Sequence, residues 1–154
     1  MKKFLFFFYI AFLLIACQAG GSNDIIKDEN DIIKDENDAM QILAKYVASD
    51  VHSKEILPDF SNCNLKYKQG TSKRENSKNI IAYTCTVPLG EKQDEIVVIS
   101  EAPELKNEIN PLKKQEKHIV YIALLIHDKE HNTISGTKLL FDTKKNTAIE
   151  YAQI

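Results

Sequence analysis

The feature that most constrains the fold is a change of hydrophobic period beyond Pro58, from helical spacing to strict alternation. Two stretches alternate apolar and polar residues, and their apolar positions are Cys63, Leu65 and Tyr67, then Ile81, Tyr83, Cys85 and Val87. A period of two is typical of β-strands with one buried face. The polar residues 69–79 between the two stretches include Gly and Ser and predict a loop. We therefore expect the chain beyond residue 58 to consist mainly of strands.

More strands follow. Ile119–Ile126 is an uninterrupted run of eight apolar residues with a β-branched start, which predicts a central strand buried on both faces. Further strands are predicted at 95–100, 133–142 and 147–153. Residues 101–117 are polar and contain two prolines, so they predict a long loop with one helical turn.

A helix is predicted ahead of the strands. Apolar residues recur at intervals of seven in two series, Ile26, Ile33, Met40 and Val47, and Ile25, Ile32, Ala39 and Tyr46. This spacing predicts an amphipathic helix over 38–54 with Asp38 as its N-cap. The predicted fold is a single α+β domain over 38–154, in which an N-terminal amphipathic helix packs on an antiparallel sheet of about six strands.

The first seventeen residues have the organisation of a secretory signal. Lys2 and Lys3 precede an uncharged segment of thirteen residues, Phe4–Ala16, which is too short to span a membrane as a helix. The segment ends in the tetrapeptide Leu14-Ile15-Ala16-Cys17, which resembles the lipobox of bacterial lipoproteins at all four positions. The resemblance implies a signal peptide over 1–16, export, cleavage before Cys17 and lipidation of Cys17, with attachment to a membrane through these lipids. An ordinary signal peptide with a chance cysteine, or an N-terminal membrane anchor, is the alternative.

The residue after the lipidation site bears on localisation. It is Gln18, and not the Asp that commonly retains lipoproteins at the inner membrane. By the same resemblance, the outer membrane is favoured, at its periplasmic face or at the cell surface.

Export also bears on the two remaining cysteines. In an oxidising compartment, Cys63 and Cys85 are expected to form one disulfide bond. Antiparallel pairing with Cys63 opposite Cys85 would place Leu65 opposite Tyr83 and Tyr67 opposite Ile81, with all the apolar residues on one face. Two unpaired, buried thiols are the alternative.

The segment 17–37 separates the anchor from the domain. After a short polar spacer, the heptad Asn23–Glu29 is repeated identically as Asn30–Glu36. Residues 23–38 hold seven acidic residues against two lysines. We interpret the segment as a charged tether that extends by self-repulsion, and weak helix is the second interpretation.

No motif in the chain identifies a catalytic chemistry. His127-Asp128-Lys129-Glu130-His131 spells the inverzincin pattern H-x-x-E-H, but it follows a strand-like run, so a polar hairpin turn is predicted and neither a metal site nor a cofactor. The carboxylate pairs Asp94-Glu95 and Glu101/Glu104 are expected to lie in polar surroundings, where nothing would raise a pKa into a range useful for catalysis.

The functional prediction follows from the organisation of the chain. Residues 39–154 carry a net charge close to +1, which argues against a nucleic-acid partner. An anchor, a charged tether and a compact domain predict a non-enzymatic module at the bacterial surface or in the periplasm that binds a protein or another macromolecule. A periplasmic assembly factor or an immunity-type inhibitor is the alternative.

Overall fold

The protein is built around one antiparallel sheet. The computed structural model describes residues 31–49, 62–71, 79–113 and 116–154. Within these residues the elements are α1 (Glu36–Ser49), β1 (Lys66–Thr71), β2 (Asn79–Leu89), β3 (Gln93–Ser100), α2 (Pro103–Ile109), a 3-10 helix (Pro111–Lys113), β4 (Ile119–Asp128), β5 (Thr133–Asp142) and β6 (Thr147–Gln153). The six strands pair in sequence order, β1-β2-β3-β4-β5-β6.

The predicted α+β class, with an N-terminal amphipathic helix packed on the sheet, is wrong. The described chain is mostly antiparallel sheet, and its two α-helices are short, with 14 and 7 residues. The prediction gave one amphipathic helix the weight of a whole layer, whereas six strands make up most of the described residues outside the helices. Residues 50–54 of the predicted helix lie outside the described residues.

The start of α1 also differs from the prediction. Oδ1 of Asp35 accepts a hydrogen bond from the backbone N–H of Asp38 at 3.0 Å, which is the contact that an N-cap side chain makes with the third residue of a helix. Asp35, and not Asp38, is therefore the N-cap. The Asp38 carboxylate instead accepts the backbone N–H of Lys34 at 3.0 Å.

The last two hairpins lie where the sequence predicts them. β5 and β6 cover the residues expected from the alternation, 133–142 and 147–153. Each follows a turn whose last residue has a positive φ, Asn132 at 51° and Asn146 at 54°. Asparagine tolerates this left-handed conformation better than most residues, which explains why both turns end at an asparagine.

The predicted register of β1 and β2 is wrong by two residues. Tyr67 lies opposite Tyr83, and not opposite Ile81. Cys63 and Leu65 precede β1, so Cys63 is not part of the ladder and does not fix its register. A shift of two residues keeps every side chain on its predicted face, and the rings of Tyr67 and Tyr83 meet edge to face at 6.0 Å.

The core surrounds the first half of β4. Ile119–Ala123 are all buried, because alternate residues belong to two apolar clusters, one on each face of the sheet. The prediction of a strand buried on both faces is thus confirmed for these residues. From Leu124 to Asp128 the strand is partly buried or exposed.

The two ends of the sheet therefore differ. We call the end where β3 stops and β4 starts the near end. The opposite end contains the β2–β3 and β4–β5 turns, and we call residues 87–95 and 126–135 together the distal end.

Candidate functional site

The predicted site residues fall in two places. Cys63 and Cys85 form a disulfide bond with a Cα–Cα distance of 5.7 Å, and the predicted bond is confirmed. It joins the segment before β1 to the middle of β2, where both cysteines are buried. Cys17 lies outside the described residues, so its lipidation stays a prediction.

The H-x-x-E-H pattern lies on a hairpin. His127 is in β4 and His131 is in the following turn, which confirms the predicted strand end and turn. Oδ1 of Asp128 accepts the backbone N–H groups of Glu130 and His131 at 2.9 and 3.1 Å. Nδ1 of His131 lies 3.0 Å from Oδ2 of Asp128. These contacts hold the pKa of Asp128 below its usual value, the His131 side chain contributing most, and they give the motif a role in forming the turn.

Two ion pairs join the turns of the distal end. Nζ of Lys92 lies 2.7 Å from Oε2 of Glu130, and Nζ of Lys129 lies 2.7 Å from Oδ1 of Asp94. The backbone N–H of Lys129 also donates to the carbonyl oxygen of Lys92 at 2.8 Å. Exposed ion pairs stabilise little individually, but three cross-links between adjacent turns restrict their relative movement.

Exposed aliphatic side chains gather at the same end. Leu89 is 45% exposed, Ile126 37% and Ile134 51%. Ile126 pairs with Ser135, and Ile134 pairs with its neighbour His127. Because successive residues of a strand point to opposite faces, Ile126 and Ile134 lie on opposite faces of the sheet. The distal end is thus apolar on both sides.

One carboxylate stands among these aliphatic residues. Glu95 of β3 lies directly opposite Val87 of β2 and Ile126 of β4. Burial raises the pKa of Glu95 above its ordinary value. Among the residues that the structure describes, no ion pair forms with Glu95.

A second polar group lies at the near end. Lys106 of α2 is 3% exposed, and its Nζ donates to the carbonyl oxygen of Glu116 at 3.3 Å. Burial lowers the pKa of Lys106, against the effect of the Glu101 and Glu116 carboxylates. Oε1 of Glu101 accepts the backbone N–H of Ile33 at 2.8 Å, and burial raises the pKa of Glu101 despite this bond.

The expectation of polar surroundings is therefore wrong for Glu95 and Glu101. The sequence shows two acidic pairs, but the desolvation of one member depends on its cross-strand or packing neighbours. For Glu95 the sequence offered one signal of burial, its position immediately before Ile96–Ile99. That signal could be interpreted only with the register of β2, β3 and β4, which places Val87 and Ile126 beside Glu95.

The described ranges contain neither a cluster of metal ligands nor a helix that could span a membrane. Across 31–49, 62–71, 79–113 and 116–154, no three His, Cys, Asp or Glu side chains group as ligands for a metal ion. In the same part of the chain, no helix has the length and apolar character to cross a membrane.

Comparison with known proteins adds no family to these observations. No protein-family model, no curated protein and no solved structure matches the chain. The interpretation below therefore rests on the geometry of the chain itself.

Proposed function

We propose that this protein is an exported lipoprotein, anchored through Cys17, whose domain binds another protein at the bacterial surface or in the periplasm. The anchor is supported by the four lipobox residues Leu14–Cys17. Acylation at Cys17 would give more than one membrane-inserting chain, which is what stable attachment requires.

The N-terminal segment joins the domain at one end of the sheet. Ile33 is held at the near end by its hydrogen bond to Glu101, immediately after β3. β3 spans eight residues, so about 25 Å separate this attachment from the distal end, at a rise of roughly 3.4 Å per residue. The chain leading to the anchor therefore joins the domain at the end opposite to Leu89, Ile126 and Ile134.

The single observation that carries the proposal is that the N-terminal segment attaches at the near end, whereas Leu89, Ile126 and Ile134 are exposed at the distal end. Leu89, Ile126 and Ile134 are displayed on strand ends whose connecting turns are tied together by ion pairs. Exposed apolar side chains among charged residues are typical of protein-binding surfaces, and a rigid surface loses little conformational entropy on binding. The charged turn residues, by contrast, disfavour insertion into lipid.

Site-specific photo-crosslinking of the full chain in its native cells tests this proposal. Benzoylphenylalanine replaces Ile134 in one strain and Leu112 in another. Leu112 is the control because it is 87% exposed and lies in the 3-10 helix, outside the distal end. We expect a protein adduct from position 134 and none from position 112. Equal adducts from both positions, or none from position 134, would contradict a binding surface at the distal end.

A further inference from the structure

We infer that the distal end binds a protein segment in which a lysine or arginine stands between aliphatic side chains, and that Glu95 pairs with this cation. The inference rests on the proposed function and deepens it, because it states the chemistry of the partner.

Glu95 lies between aliphatic residues of the two adjacent strands. Val87 and Ile126 flank it directly across the two adjacent strands, and side chains in such positions have Cβ atoms about 4.5–5.5 Å apart. Leu89 lies two residues beyond Val87, on the same face of the sheet. A partner that covers Leu89 and Ile126 must therefore also cover the Glu95 carboxylate.

The distal end has more carboxylates than lysines. Its two lysines, Lys92 and Lys129, are engaged by Glu130 and Asp94, each at 2.7 Å. Residues 87–95 and 126–135 hold five carboxylates against these two lysines. A carboxylate buried in an interface without a cation is strongly unfavourable, so a partner that covers Glu95 must supply the missing positive charge.

The ionised Glu95 side chain is unfavourable for the folded domain on its own. Partial burial disfavours its ionised form, as the raised pKa shows. A neutral side chain of the same shape would therefore make the folded domain more stable. Groups that lower the stability of the folded state are characteristic of functional sites.

Other occupants fit the surface less well. An anionic bilayer surface would be repelled by the surplus of carboxylates. A second copy of the chain placed distal end to distal end would bring Glu95 towards its own equivalent, which is unfavourable for like charges. A protein segment that carries a cation between aliphatic residues satisfies both the apolar and the charged parts of the surface.

The test uses the full chain in its native cells, with benzoylphenylalanine at Leu89 as the probe. The probe is introduced into the wild-type protein, into Glu95→Gln and into the control Glu108→Gln, which removes a surface carboxylate from α2, outside the distal end. We expect a protein adduct whose crosslinked peptide contains lysine or arginine beside aliphatic residues. Glu95→Gln should lower the adduct yield about tenfold, as expected for loss of a charged hydrogen-bond partner, and Glu108→Gln should leave it unchanged.

The possible failures can be told apart. Equal yields with and without Glu95→Gln, a crosslinked peptide lacking a cation, or an adduct to lipid or to a second copy of the chain would overturn the inference. Adducts from position 134 with none from position 89 would also overturn it, and would leave the proposed function standing. The absence of adducts from both positions would overturn both. Melting curves of each variant verify that a lost adduct does not reflect unfolding.

Discussion

The backbone N–H of Ile33 donates a hydrogen bond of 2.8 Å to Oε1 of Glu101, which lies 68 residues further along the chain. Ile33 is itself 6% exposed and belongs to a core cluster. The second copy of the tandem repeat thus contains a residue of the folded core. This contact fixes the end of the sheet from which the chain continues towards Cys17.

Ile33→Ala tests the place of this residue in the core. It should lower the free energy of unfolding by about 2–3 kcal/mol, since it removes a buried aliphatic side chain. Leu112 is 87% exposed, so Leu112→Ala should leave the unfolding curve unchanged and serves as the control. Chemical denaturation of both variants measures the difference. Equal effects would contradict the burial of Ile33 in the core.

The disulfide bond is expected to contribute strongly to stability. The two cysteines are 22 residues apart, and for a loop of this length the chain-entropy account gives about 3 kcal/mol. Replacing both, Cys63→Ala with Cys85→Ala, should therefore lower the melting temperature by roughly 10 °C. Circular dichroism melts with and without reductant measure the effect. The reduced wild-type protein should resemble the double variant, and a wild-type melt insensitive to reductant would contradict the bond.

Glu95 makes a prediction about pH. Its pKa in the folded protein is raised above the ordinary value of 4.5, so the unfolded chain releases this proton at a lower pH than the folded protein. Stability therefore falls as the pH rises from about 4.5 through the folded pKa. Glu95→Gln should raise the melting temperature at neutral pH and have no effect well below the unfolded pKa.

The same experiment with Glu91→Gln separates this effect from a general change of net charge. Melting curves at acidic and neutral pH are recorded for the wild type and for both variants. A gain for Glu95→Gln that persists in acid, or an equal gain for Glu91→Gln, would show that desolvation of Glu95 is not the cause.

Gly136 is predicted to tolerate no side chain. Its φ is 143°, and a Cβ atom there would collide with the carbonyl oxygen of Leu124 and approach Cα of Leu125 to 2.9 Å. Gly136→Ala should cost about 2–4 kcal/mol, from backbone strain and overpacking together. Gly70→Ala in β1 is the control, because a Cβ atom at Gly70 meets nothing within 4 Å. Similar stabilities for the two variants would contradict the close approach of β5 to β4.

Local sequence patterns predicted part of this structure. The bounds of β5 and β6 were predictable because alternating strands and turn asparagines act within a few residues. The register of β1 and β2 was not, because Cys63 lies before the strand and can bond to Cys85 without pairing in the ladder. The fold class was predicted incorrectly because one amphipathic helix was given the weight of a whole layer beside the strands.

The candidate site was less predictable than the strands. The strand end at His127 and the turn at His131 were predicted from the preceding apolar run, which is a local signal. The surroundings of Glu95 depend on Val87 and Ile126, residues from two other strands. The run Ile119–Ile126 is uniformly apolar in sequence, but only its first five residues are buried in the structure. Such properties arise only when the strands are placed side by side.

Membrane attachment through Cys17 is the claim on which the proposed function depends, and mass spectrometry of the mature N-terminal peptide tests it most directly. The full chain is isolated from bacterial membranes, with Cys17→Ser as the control. We predict a mature chain that begins at Cys17 and carries acyl chains on its sulfur and its amino group, and a Cys17→Ser protein that is unprocessed or released from the membrane. A mature chain that begins elsewhere, an unmodified Cys17, or normal membrane attachment of Cys17→Ser would contradict the account.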